Sequence, residues 1–167
     1  MEQPQRPPPS DLARPDLTFQ WEGYAAVYRQ LAEPLRAYWR ENEPHPDVAP
    51  YDPDFDLYFN LETDGRLGVF TGRRGDLILG FNSFFISTTF ARRSVVTAVA
   101  DILFVRPSER GGSLARRLVL EPEAGLIARR ARFARYTPSS SARLGVLLER
   151  CGYARKGGDY EKVLGDV

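Results

Sequence analysis

A strand that halts at glycine and restarts as a helix is the feature that most restricts this chain. Residues 104–119, FVRPSERGGSLARRLV, begin like a buried strand, pass through Pro107 and the pair Gly111–Gly112, and end as an arginine-studded helix. Backbone N–H groups at such a junction have no intrahelical acceptors and converge on one spot, where an anion can sit.

The elements around the junction follow from periodicity. Residues 1–16 carry five prolines and almost no apolar residues, which predicts an extended or disordered tail, with one domain over residues 17–167. From Trp21 to Glu41 apolar side chains recur at Val27, Leu31, Leu35 and Tyr38 with Trp39, the spacing of an amphipathic helix. Pro34 interrupts that pattern at a cost of about 3 kcal/mol in a helix interior, which predicts two short helices, the second opening at Pro34. A proline-rich loop to about Asp54 precedes four strand signals, DLYFNLE, RLGVFTG, DLILGFNSFFIST and VVTAVADILFV, with GRRGD as a hairpin turn. After the junction come a helix from about Ser113, a fresh helix start at Pro122, a strand RFARYTP, a helix SSARLGVLLERCG and a last strand YEKVL. This order predicts an α+β (α/β) fold: a single mixed, mostly antiparallel sheet with helices on both faces.

Composition narrows the chemistry. Hydrophobic residues at 43% and charged residues at 27% are those of an ordinary soluble globule. No apolar run approaches the roughly 20 residues of a membrane span, and the first residues lack the apolar stretch of a secretion signal, so a cytoplasmic, non-membrane protein is expected. A net charge of +1 disfavours direct nucleic-acid binding and leaves only local basic patches for it. With His45 and Cys151 as the single histidine and cysteine, no His/Cys zinc site can form, and no metal is expected. His45 lies in a loop-like string and reads as solvated, and Cys151 reads as a small buried hydrophobe.

The string DILFVRPSERGGSLARRLVLEPE resembles motif A of the GNAT superfamily of acyl-CoA N-acyltransferases, in which Arg or Gln is followed after two residues by Gly, one residue, then Gly or Ala. Arg110-Gly-Gly-Ser-Leu-Ala115 fills it, with Ser113 where the middle glycine is usual, so Ser113 must reach the required conformation with a side chain. LLERCGYARKGGDYEKVL resembles the family's C-terminal end, and YWREN with YFNLETDGRLGVFTGRRGDLILGF resembles the subset found in bacteriophages and prophages. The resemblance covers about residues 20–164 and implies an acetyltransferase using acetyl-CoA as cosubstrate, acting on an amine-bearing acceptor, as a monomer or homodimer. The acceptor implied is a small molecule, a protein or an aminated DNA base; a rival reading is a non-catalytic binding or phage structural protein on the same fold.

Amides from Gly111 through Gly112, Ser113 and Leu114 to Ala115 would hold the diphosphate of coenzyme A, aided by Arg110, with Ser141 as a further cofactor contact. The resemblance places the pantetheine arm along the backbone of Leu103, Phe104 and Val105, like an added strand. Acyl transfer needs an unprotonated amine, and a lysine-like amine with a pKa near 10.4 is neutral about once in a few thousand molecules at pH 7. Alternation along VVTAVADILFV puts Val99, Asp101 and Leu103 on one face, which makes Asp101 a candidate base or, alternatively, half of a salt bridge with an arginine. Glu41, at the end of YWREN, is a second candidate, for binding a cationic amine. Many family members protonate the leaving thiolate with a tyrosine four residues before a Gly-Phe pair; Leu148 stands there in this chain, leaving Tyr136, Ser141 or water. Ser139 to Ser141 also suit a helix cap.

Overall fold

The computed structural model describes residues 16–89, 92–137 and 142–164. The proline-rich tail and Ser141 therefore lie outside the described residues, apart from Asp16.

Seven strands form one sheet: β1 (Leu17–Glu22), β2 (Leu67–Arg74), β3 (Leu77–Thr89), β4 (Arg92–Val105), β5 (Ala131–Tyr136), β6 (Ala154–Lys156) and β7 (Asp159–Val163), in the spatial order β1-β2-β3-β4-β5-β7-β6. Every neighbouring pair is antiparallel except β4 with β5. Helices α1 (Tyr24–Asn42) and α2 (Phe55–Thr63) cover one face, where Tyr24, Val27 and Leu31 pack on Phe81 and Phe104. Helices α3 (Leu114–Leu120), α4 (Pro122–Ala128) and α5 (Ala142–Arg150) cover the other, where Val119, Leu126 and Leu148 pack on Phe84, Ala98 and Tyr136. The mixed, mostly antiparallel α+β architecture is the one expected.

Three local expectations are corrected. Pro34 sits inside one continuous helix, because it is itself buried beside Val27 and Leu31 and tertiary packing outweighs the missing backbone hydrogen bond. DLYFNLE is helical: the Asp54 carboxylate accepts the Leu57 N–H at 2.9 Å, an N-cap, and Tyr58, Phe59 and Leu61 then turn toward the aromatic cluster of α1. Trp21 and Glu22, where the sequence pattern predicts the helix to begin, instead end the edge strand LTFQWE, and the helix starts at Tyr24. There Trp21 packs so closely on α4 that a Cβ at Gly125 would come within 2.0 Å of the indole nitrogen.

Candidate active site

β4 changes character halfway. As far as Ala100 it is bonded on both sides, with Phe84 opposite on β3 and Tyr136 opposite on β5. From Asp101 to Val105 it keeps β3 but loses β5, since the parallel pairing ends at Ala100 and Tyr136. The last five residues of the strand, among them Leu103, Phe104 and Val105, thus present an open backbone edge.

At the same point the β3–β4 register shifts: Ser83 faces Ile102 and Phe84 faces Ala100, so Asp101 is an extra, bulged residue. The bulge overturns simple alternation. Ile102 and Phe104 pack under α1 and α2, Leu103 packs under α3, and the Asp101 carboxylate accepts hydrogen bonds from Tyr58 of α2 at 3.3 Å and from Ser83 at 3.4 Å. Asp101 therefore stands on the α1–α2 face, opposite Leu103. Among the described residues no cation pairs with it, which removes the salt-bridge alternative. Burial raises its pKa above the ordinary carboxylate value, and the two hydroxyl donors only partly oppose that.

A cavity of about 470 Å³ runs through the open edge from one face of the sheet to the other. On the α1–α2 side it is lined by Tyr38, Glu41, Asn42 and Asp101; on the other by Tyr136, Thr137, Leu144 and Leu147. Its far end reaches Arg110, Gly111 and Ala115. The glycine junction closes that end with a short 3-10 turn, Pro107–Glu109, after which Gly111 takes φ +90°. Ser113 adopts ordinary right-handed helical geometry, so the serine replacing the usual glycine is unstrained.

Two expected site residues are joined to each other. Arg110 donates to both Glu41 carboxylate oxygens at 2.8 and 3.0 Å, and through Nε to the Val105 carbonyl at 2.9 Å, with its guanidinium 6.0 Å from the Phe104 ring centre. This ion pair, with one guanidinium nitrogen shared between both carboxylate oxygens, ties the end of α1 to the glycine loop across the cavity. Glu41 is thereby committed to an internal cation.

Tyr136 contributes its ring to the cavity, but its hydroxyl is enclosed and accepts from the Asn82 amide at 2.6 Å. Burial drives its phenol pKa strongly upward, which makes it a poor proton donor to a thiolate. Asn82 also donates to the Leu118 carbonyl at 2.9 Å. That carbonyl would ordinarily accept the N–H four residues on, but the residue there is Pro122 and has none. Leu148 is fully buried, and the side chains that α5 turns to the cavity are Arg143, Leu144 and Leu147, none with a hydroxyl.

Sequence reasoning passed over Tyr38, Tyr58, Asn82, Ser83 and Arg143. The bulge that aims Asp101 at the tyrosines leaves no mark in local composition. Tyr38 was legible only as one more apolar position on the α1 stripe. Among the described residues no group of histidine, cysteine or carboxylate side chains is arranged to hold a metal, and no helix is long and apolar enough to cross a membrane.

No family model matches the chain, and no curated protein matches its sequence. Solved structures do match its shape. An N-acetyltransferase from Staphylococcus aureus Mu50 aligns with a TM-score of 0.71 at 15% identity, over 90% of this chain and 99% of that one. A GCN5-related N-acetyltransferase from Ralstonia eutropha JMP134 aligns at 0.68 and 16%, over 91% and 99%. A GNAT family acetyltransferase from Brucella melitensis, solved in complex with acetyl-CoA, aligns at 0.64 and 14%, over 90% of each chain. At these identities the likeness is one of architecture, and the architecture of this chain is GNAT-like.

Proposed function

We propose that the protein is an acyl-CoA-dependent N-acyltransferase that moves an acetyl group from acetyl-CoA to a primary amine by direct attack. The observation that carries this reading is the cavity passing through the unpaired edge of β4 between Asp101 and the glycine loop. A strand edge without a neighbouring strand suits a pantetheine arm, which brings two amides of its own, although the Val105 carbonyl already accepts from Arg110. Leu103, Phe104 and Val105 supply that edge. Gly111, Gly112, Ser113, Leu114 and Ala115 supply donors for the diphosphate, with the Arg110 guanidinium beside them, held in place by Glu41.

On this reading the acceptor enters from the α1–α2 side. Asp101, with its raised affinity for protons, takes the proton from the ammonium directly or through a water. The amine nitrogen bonds to the thioester carbon and the carbon–sulfur bond breaks. Coenzyme A departs as a thiolate, whose pKa of about 8.5 for a simple thiol makes it a competent leaving group without a dedicated acid, and the second N–H proton shed as the amide forms passes to that thiolate or to water. The resemblance to phage and prophage proteins keeps an aminated DNA base among the acceptors, and the net charge of +1 weighs against a duplex.

The buried Leu148 favours one second reading, a non-catalytic binding protein on the same fold. Titration calorimetry with acetyl-CoA separates the two. Heat of binding supports the transferase, and its absence at millimolar ligand supports the rival. Mass spectrometry of amines incubated with protein and acetyl-CoA then tests transfer itself.

A further inference from the structure

From the charge and ring pattern of the cavity we infer that the acceptor is a monoamine, a single ammonium on an apolar aliphatic or aromatic body, seated between the Asp101 carboxylate and the Tyr38 ring. The inference rests on the transferase reading and narrows its substrate. Among the described residues, Glu41 and Asp101 are the acidic ones lining the cavity, and Arg110 and Arg143 are the basic ones. Glu41 is neutralised by Arg110 through two hydrogen bonds. The α1–α2 side of the cavity is therefore left with one uncompensated negative charge, at Asp101. One ammonium meets it; a second positive charge on the same ligand would meet none.

Besides the Ser83 hydroxyl, the Asp101 carboxylate has aromatic neighbours. Tyr38 lines the same cavity, and burial, with a smaller contribution from the Asp101 charge, pushes its phenol pKa up. Tyr58 binds the carboxylate from behind and stacks on Tyr24 with ring centres 5.1 Å apart. Phe104 lines the floor. An ammonium against a tyrosine face gains electrostatic attraction from the ring, and an apolar body displaces water from such walls without stranding polar groups. A sugar amine would bury hydroxyls against rings, a polyamine would bring unmatched charge, and an amino acid would set its carboxylate near Asp101.

Phenethylamine, butylamine, spermidine, glucosamine and L-phenylalanine serve as probes, each titrated into the protein by calorimetry with and without coenzyme A, and each assayed as an acceptor with acetyl-CoA. Phenethylamine and butylamine are expected to bind, and to exceed the other three by about tenfold or more in kcat/KM. Tyr38→Leu is expected to weaken phenethylamine about tenfold while leaving the acetyl-CoA Kd unchanged, and Tyr38→Phe, which keeps the ring, to restore it. Preference for spermidine, glucosamine or phenylalanine overturns the inference. So does an unchanged phenethylamine affinity in Tyr38→Leu, or acetyl-CoA binding with neither monoamine bound nor acetylated. Monoamine binding without any acetyl-CoA binding upholds the amine site and fells the transferase reading instead.

Discussion

Residues 96–100 and 101–105 of β4 belong to one strand, are similarly rich in apolar side chains, and share the same β3 partner, yet they do different work. The first stretch is bonded to β3 and β5, with Ala98 and its neighbours sealed between sheet and helices. The second is bulged at its start, open along one edge and bordered by a cavity. Side-chain composition does not separate the two. The division comes from where β5 stops, at Tyr136, and from one extra residue against β3. A cavity opens in a regular sheet through the loss of a neighbour and a single slipped register.

The largest expected effect sharpens that division at its boundary. Asp101→Asn keeps the shape of the bulge and removes the proton acceptor, so acetyl transfer is expected to fall by roughly 10² to 10⁴ with folding intact, measured as kcat/KM beside a thermal melt. An undiminished rate would take Asp101 out of the mechanism.

Next is a change confined to the closed half. Ala98 is fully buried, and Ala98→Leu overpacks it, which is expected to cost about 1–3 kcal/mol in denaturant unfolding while acetyl-CoA affinity stays as it was. If cofactor binding collapsed in a variant that remained folded, the two halves would not be separable.

A smaller effect is expected at the loop facing the open half. A Cβ at Gly111 meets nothing within 4 Å, so Gly111→Ala strains only the φ of +90°. The cost of about 1–2 kcal/mol should appear as roughly tenfold weaker acetyl-CoA binding by calorimetry.

The mildest effect concerns pH. Burial raises the Asp101 pKa, so the native state retains a proton at pH values where the unfolded chain has released it, and ionisation at neutral pH costs stability. Asp101→Asn is thus expected to raise Tm at pH 7, with the gain shrinking as pH falls through the raised value and disappearing below that of a free aspartate. In the wild type, transfer should lose rate on acidification at a pH above the pKa of a free aspartate. Melting curves and rate profiles across the acid range check both.

The sheet was largely legible, because β2 to β5 and β7 announce themselves by β-branched and aromatic runs between glycine turns, and the junction at Gly111–Gly112 marks where sheet yields to helix. Less legible was anything decided by a partner distant in sequence. Phe55–Thr63 has the composition of a strand and becomes a helix because Asp54 caps it and the rings of Tyr24 and Tyr28 receive Tyr58 and Phe59. Pro34 is a breaker only for a helix with no core to lean on. The site was half readable: the glycine loop and the carboxylate at position 101 were visible, whereas the face that carboxylate points to depends on the bulge, and the Arg110–Glu41 pair joins residues 69 apart in sequence.

Pro122 has a consequence reaching well beyond its own turn. Its missing N–H hands the Leu118 carbonyl to Asn82, and the same amide grips the Tyr136 hydroxyl at the tip of β5. One side chain thus rivets three parts: the middle of the sheet, the helix that springs from the glycine loop, and the strand end whose departure opens the gap. The width of the opening is a dimension machined into the core, present before any visitor arrives.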